Sequence, residues 1–328
     1  MADLSTSFAG LKLANPIIIS SSGLTKTAAN NARLEEAGAA AVVIKSLFEE
    51  QIQYEAGQML ESNTYEHTEA LDYLGAYVSQ HKLAEYLDVI RESRKACSIP
   101  VIASINCHND AEWVNFAREI EYAGASALEV NILSLQTQAQ YEYGAFEKEH
   151  VKILKHLKQT ISIPVIMKLG SNFTNPVALV NELKAAGADA VVLFNRFYPF
   201  DIDTDTMKVS SGQVLSNGSE LSQSLRWAGI VSNAVGKMDI AVSGGVHDGA
   251  GIAKSLLVGA NAVELCSVVF EKGLSCIAQL KAELSAWMDK KGYASIDQFK
   301  GSLNSGSGRS DADLFERTQF IKHFGGKE

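Results

Sequence analysis

One form of sequence recurs four times along the chain: EEAGAAAVVIKS (35–46), EYAGASALEVNI (121–132), KAAGADAVVLFN (184–195) and LLVGANAVELCS (256–267). Each copy joins a helix end, a Gly-Ala pair, a small residue and a buried-looking apolar run. The glycine suits a left-handed helix cap. The run suits a parallel strand covered on both faces. A second form alternates with the first: SIPVIASIN (98–106), SIPVIMKLG (162–170) and KMDIAVSGG (237–245), with NPIIIS (15–20) opening the chain in the same way. Interleaved, the two forms predict eight strands, near 16–20, 41–45, 101–105, 127–132, 164–168, 190–194, 239–243 and 262–266. Helical patterns lie between most of them, at 110–123, 145–160, 175–186 and 246–258. Eight alternating strand and helix units imply an α/β fold of the (β/α)8 TIM-barrel type. An open doubly wound sheet is the competing arrangement, and the count of eight favours the barrel.

A barrel of this kind accounts for all 328 residues as a single domain, with a peripheral helical tail from about 285. A hydrophobic content of 46% supplies a large core, and the net charge of −9 argues against a nucleic-acid partner, whose phosphates call for Lys and Arg. Cys97, Cys107, Cys266 and Cys276 form no CxxC pair and no His/Cys ligand spacing, so no metal site is expected. The start of the chain has no basic-then-apolar signal pattern. No run approaches the ~18 apolar residues of a membrane helix. The expectation is a cytoplasmic protein that does not engage a membrane.

Catalytic groups of such barrels stand where the strands end. The first strand ends in Ser20, Ser21 and Ser22, and the second in Lys45 and Ser46. The third, fourth and sixth end in Asn106, Asn131 and Asn195-Arg196, the fifth in Lys168. A lysine closing a buried strand is costly unless paired or functional. Three asparagines converging on one mouth suit a planar ligand. The last two strands end in Gly244-Gly245 and Cys266-Ser267, around a helix expected from about Val246. Loops there cradle phosphate in parallel barrels. Two long connections, 46–82 and 195–224, are placed to build or cover the site. His108 and His247 read as loop or helix-start residues, and no HExxH, Ser/His/Asp order or paired-carboxylate motif stands out.

These motifs in this order resemble dihydroorotate dehydrogenase, a flavin-dependent barrel enzyme, over about 1–285. The carrying residues are NPIIISSSG, IKS, EVNILS, IMKLG, FN, SGGVHDG and ELCS. The resemblance implies FMN across the barrel mouth. Ser20, Ser21 and Ser22 would lie along the flavin, with Lys45, Ser46, Asn106, Asn131 and Asn195 around the ring. Lys168 would face its pyrimidine edge, and Gly244, Gly245, Cys266 and Ser267 would hold its phosphate. The proton-transfer group would be Ser134, with Lys45 and Lys168 as the other catalytic residues. Asn131, Gln136, Asn195 and Arg196 would meet the substrate, with Arg196 suited to grip an acid group. The chain departs from the family pattern in Leu135-Gln136 after Ser134, in Glu69–Ala76 where an Asn-rich substrate loop is usual, and in Asn195–Phe200. The implied activity is hydride transfer from dihydroorotate or a related small planar substrate to FMN. Two other readings remain open: a flavin-free phosphate-binding lyase or aldolase using Lys45 or Lys168 as a Schiff-base amine, and a flavin-binding paralogue without catalysis. The start of the chain argues against a quinone-linked form. Fumarate, a nicotinamide nucleotide through a partner subunit, or oxygen could accept the electrons, and the resemblance implies a homodimer.

Overall fold

Apolar residues on both faces of a strand can be buried only when one face meets the barrel axis and the other meets the helices. A computed structural model describes residues 2–48, 68–106, 110–308 and 312–317. The chain opens with β1 (Thr6–Phe8), β2 (Leu11–Leu13), β3 (Ile17–Ile19), α1 (Ala28–Glu36), β4 (Ala41–Val43) and β5 (Leu47–Phe48). It continues with α2 (Thr68–Ala96), β6 (Val101–Asn106), α3 (Asp110–Tyr122), β7 (Ala127–Asn131), α4 (Ala145–Thr160), β8 (Val165–Leu169) and α5 (Pro176–Ala185). There follow β9 (Ala190–Leu193), β10 (Phe200–Asp203), β11 (Lys208–Ser211), α6 (Leu221–Ala234), β12 (Asp239–Ser243), α7 (Gly249–Leu257), β13 (Ala262–Leu265), α8 (Ser267–Lys272) and α9 (Ser275–Lys291).

The strands β3, β4, β6, β7, β8, β9, β12 and β13 pair in parallel in that order, and β13 returns to β3. The eight expected strands therefore close into a (β/α)8 barrel, each within two residues of its expected bounds. The short β5 extends the pairing along β6. The repeat glycines Gly38, Gly124, Gly187 and Gly259 all hold φ between +94° and +110°, the helix-ending conformation that the motif calls for.

Along each strand the side chains alternate between two cores. Ile18, Ala41, Val43, Ile102, Ala127, Ile166, Ala190, Val192, Ala241 and Ala262 face the axis. Their neighbours, such as Ile17, Val42, Leu128, Met167 and Val263, face the helices. The β1–β2 hairpin closes the lower end, with Phe8 and Leu13 packed into the axial core.

Besides β5 and the β1–β2 hairpin, three features differ from the sequence-based expectation. The long connection after β9 contains the antiparallel β10–β11 hairpin. The helix expected from Val246 begins only at Gly249, because Asp248 caps it and accepts from Gly251 N. The segment after α9 is packed rather than peripheral. Ile296 and Phe299 are fully buried, and Gly301 and Leu303 donate backbone hydrogen bonds to Leu256 and Leu257.

Candidate functional site

The two-residue strand period carries the axial face upward from apolar to polar. Two residues above Ile18, Ile102, Ala127, Ile166 and Ala262 stand Ser20, Ser104, Glu129, Lys168 and Glu264, all buried. Above these, Asn106 and Asn131 face each other in register across β6 and β7. This polar layer is the floor of a cavity of ≈ 480 Å³ at the carboxyl ends of the strands, within the ~300–1,000 Å³ of small-molecule and cofactor sites. Twelve of the residues expected at the site line it: Ser20, Ser21, Ser46, Asn106, Asn131 and Lys168 on one side, Asn195, Arg196, Gly244, Gly245, Cys266 and Ser267 on the other.

In the floor Lys168 Nζ lies 2.5 Å from Glu264 Oε2 and 3.5 Å from Glu129 Oε1. It also donates to Ser20 Oγ at 3.0 Å, and that hydroxyl donates to Glu264 Oε2 at 3.0 Å. Burial alone would push Lys168 down, but the charges of Glu129 and Glu264 outweigh it and hold the ammonium above its ordinary value. Burial drives Glu129 well above the usual carboxylate range, and the charge of Glu264 adds to it. For Glu264 burial is outweighed by Lys168 and by hydrogen bonds from Glu129, Lys168 and Ser20, so its carboxyl is held below the usual range. The layer sets one ammonium against two carboxyl groups, of which Glu129 holds a proton more tightly than Glu264. Both glutamates were missed by the sequence reading, although each lies two residues before a recognised strand-end residue, Asn131 and Cys266, and so shares its face.

The opposite side of the mouth is a cradle of small residues. Gly244 and Gly245 have φ of +86° and +76°. A Cβ on Gly244 would meet nothing within 4 Å, so its backbone faces open space. Ser216 closes the cradle: its hydroxyl accepts from Gly245 N at 3.3 Å and donates to Ser267 Oγ at 3.0 Å. His247 lies between Ser216 Oγ and Glu271 Oε2, 3.3 Å from each. The expected dipole of α7 is not free for an anion, since Gly249 N donates to Glu283 and Gly251 N to Asp248. Gly245 N is likewise engaged by Ser216, which leaves the Gly244 backbone as the open part of the glycine turn. Burial raises the Cys266 thiol above its ordinary value, so it is a packed thiol rather than a thiolate.

Four expected residues lie elsewhere. Lys45 lines a separate depression of ≈ 180 Å³ with Lys26, Lys82 and Glu85. Ser22 caps the short helical turn Gly23–Thr25. Ser134 and Gln136 stand outside the cavity lining, where the Gln136 amide donates to Ser134 Oγ at 3.4 Å and Asn172 Nδ2 donates to Ser134 O at 3.1 Å. Arg196 lines the cavity, yet its guanidinium is taken up: Nε donates to Glu220, Nη1 to Val214 O and Nη2 to Gln213 O, at 2.6–2.7 Å. It fastens the loop after β9 and presents no free fork to an acid group. Asn195 does face the site, donating to Asn131 Oδ1 at 2.9 Å. Phe194, Phe197, Tyr198, Pro199 and Leu133 add an apolar wall that the sequence reading did not assign. His108 lies outside the described residues. Glu69–Ala76 falls in the first turns of α2 and forms no loop. Among the described residues no cluster of three metal-ligating side chains occurs, and no helix is long and apolar enough to cross a membrane.

Comparison with known proteins agrees with this geometry. The family profile described as dihydroorotate dehydrogenase matches residues 3–288. The catalytic subunit of dihydroorotate dehydrogenase B (NAD(+)) from Thermoplasma volcanium is 27% identical over 92% of this chain and 98% of its own. Its counterpart from Thermoplasma acidophilum is 28% identical over 92% and 99%. Dihydroorotate dehydrogenase A (fumarate) from Lactobacillus helveticus is 26% identical over 62% of this chain and 68% of its own. The chain belongs to the dihydroorotate dehydrogenase family, flavin-dependent oxidoreductases that act on a CH–CH bond.

Proposed function

We propose that this chain binds FMN across the barrel mouth and oxidises dihydroorotate or a related small planar substrate. The observation that carries the reading is the pairing of a floor lysine with an open glycine cradle across one cavity. The residues present fit a flavin. Asn106 Oδ1 is a buried acceptor without a partner among the described residues, suited to a ring N–H. Gly244 leaves room for close approach to a phosphate. Bound FMN supplies the hydride acceptor.

The chain's own residues bind and orient. Gly244, Gly245, Ser216 and Ser267 hold the phosphate end, and Ser20, Ser21, Ser46 and Asn106 line the ring site. Lys168 supplies fixed positive charge where reduction places negative charge. Asn131 and Asn195 offer amides to the substrate, and the Phe194–Pro199 wall excludes water from its apolar face. Ser134 is the candidate proton-transfer group by resemblance, although it stands outside the cavity lining beside Gln136 and Asn172. A lyase using Lys168 as an amine nucleophile is disfavoured, because a lysine held protonated by Glu264 has no lone pair to attack a carbonyl.

Purified protein is expected to be yellow, and its flavin to bleach anaerobically with dihydroorotate or one of a panel of dihydropyrimidines. Colourless protein that takes up no added FMN would sink the proposal. The relatives' names divide between NAD(+)-linked and fumarate-linked enzymes. Reoxidation of the bleached protein by fumarate alone would place this chain with the second group. A requirement for a partner subunit would place it with the first.

A further inference from the structure

The buried floor sets two carboxyl groups, Glu129 and Glu264, against the single ammonium of Lys168, and a row of hydroxyls leads to it. Glu129 Oε1 accepts from Ser104 Oγ at 3.4 Å, Ser104 Oγ lies 2.8 Å from Ser46 Oγ, and Ser46 Oγ lies 2.9 Å from Ser21 Oγ. Ser104 and Ser46 are buried, while Ser21 is part-exposed at the cavity edge. The other oxygen, Glu129 Oε2, is buried with no partner among the described residues. Tyr86 fixes the row from behind, donating to Ser104 O at 2.9 Å and accepting from Ser104 N at 2.7 Å.

We propose that Glu129 is a positioning residue that stores the floor's proton, exchanging it with the mouth through Ser104, Ser46 and Ser21, and so keeps the Lys168–Glu264 pair electrically neutral beneath the flavin. Two carboxylates against one ammonium in a buried layer would leave a net negative charge, which the low-dielectric interior penalises heavily. The shorter contact goes to Glu264, so Glu264 is the partner that ionises and Glu129 the one that keeps the proton. The titratable groups facing Glu129 are Lys168 from β8, Glu264 from β13 and Tyr86 from α2 behind Ser104. Burial and Glu264 raise the affinity of Glu129 for its proton, and Lys168 opposes them. If Glu129 loses the proton at alkaline pH, the floor becomes negative. Reduction of a flavin above it then becomes harder.

The link to flavin rests on the proposed FMN site, but the proton does not, so the two are tested separately. Infrared spectra of FMN-free protein at neutral pH should show the carbonyl stretch of a buried protonated carboxyl, lost in Glu129→Gln. The same band should vanish in Glu264→Gln, where Glu129 must ionise to pair with Lys168; this variant leaves Glu129 itself untouched. In D2O the band should shift promptly in the wild type and slowly in Ser104→Ala. With FMN bound, the midpoint potential of Glu129→Gln should match the wild type at neutral pH and lie above it at alkaline pH. A spectrum without the band, or a band that survives in Glu264→Gln, overturns the proposal whether or not FMN binds. Potentials that coincide at every pH overturn the link to the flavin. A protein that shows the band but binds no FMN refutes the proposed cofactor site and leaves the stored proton in place.

Discussion

Gly244 and Gly245 share a positive φ, yet a methyl group on each would meet different surroundings. At Gly244 it meets open space, so Gly244→Ala is expected to cost only the left-handed strain, ~1–2 kcal/mol. At Gly245 it runs into the backbone of Leu221, whose Cα would be 2.8 Å away, adding an overpacking cost of ~1–3 kcal/mol. Urea unfolding of the two variants should rank them in that order, and equal losses would contradict the close approach of α6. A second residue-scale expectation concerns Glu129. Its folded-state pKa is raised by burial, so the stability it contributes is fully present below the ordinary carboxylate range and is lost as pH rises through the folded value. Unfolding midpoints of FMN-free protein should therefore decline toward alkaline pH more steeply in the wild type than in Glu129→Gln. At this scale the sequence was informative where a residue violates its surroundings. Lys168 stands out as a charge closing an apolar strand. Glu129 and Glu264 were equally anomalous inside apolar runs, but a run read as uniformly buried conceals which of its faces points at the axis.

The elements divide by how strictly periodicity binds them. The strands of the repeat were legible to within two residues because a slip of one position would turn each buried face outward. The start of α7 was misplaced by the apolar Val246, whereas the Asp248 cap marks the true start and was readable as an N-cap residue. The loop after β9 escaped because its conformation rests on Arg196, a single contact centre without a sequence period. Arg196 ties Gln213, Val214 and Glu220 to the end of β9 through four hydrogen bonds. Lysine reproduces the charge but not the planar fork, so Arg196→Lys should release the segment carrying β10 and β11. Limited proteolysis should then cut within 197–219, with the barrel's unfolding midpoint nearly unchanged. Hydrogen bonds to a charged group contribute about 1.5–3 kcal/mol locally, and this loop is outside the barrel core. Protection from protease equal to that of the wild type would show that the hairpin is held by its own packing.

Across the whole molecule the barrel separates its two ends. The proposed site lies at the carboxyl ends of the strands, where the axial face turns polar. The lower end is sealed by the β1–β2 hairpin, with Phe8 at 1% exposure against Ile18, Ala41, Ile102 and Ala262. That hairpin was not anticipated from the sequence, because strands of three residues are too short to display a period and its only audible signal is the Ala9-Gly10 turn. Its hydrogen bonds stay at the base: Ala9 N donates to Asp239, and Asn261 Nδ2 donates to both Ser7 O and Asp239, tying the hairpin to the barrel base rather than to the mouth. Phe8→Ala should thus remove a large axial side chain at a cost of ~3–5 kcal/mol in unfolding free energy. The axial layers between Phe8 and Lys168 are aliphatic and close-packed, and such layers relax only partially around a cavity. FMN affinity and anaerobic bleaching rate should accordingly match the wild type while the urea midpoint falls. If affinity falls in step with stability instead, the Ile18–Ile166 layer transmits the loss to the floor, and the geometry of Lys168 depends on the base of the barrel as well as on its two carboxyl neighbours.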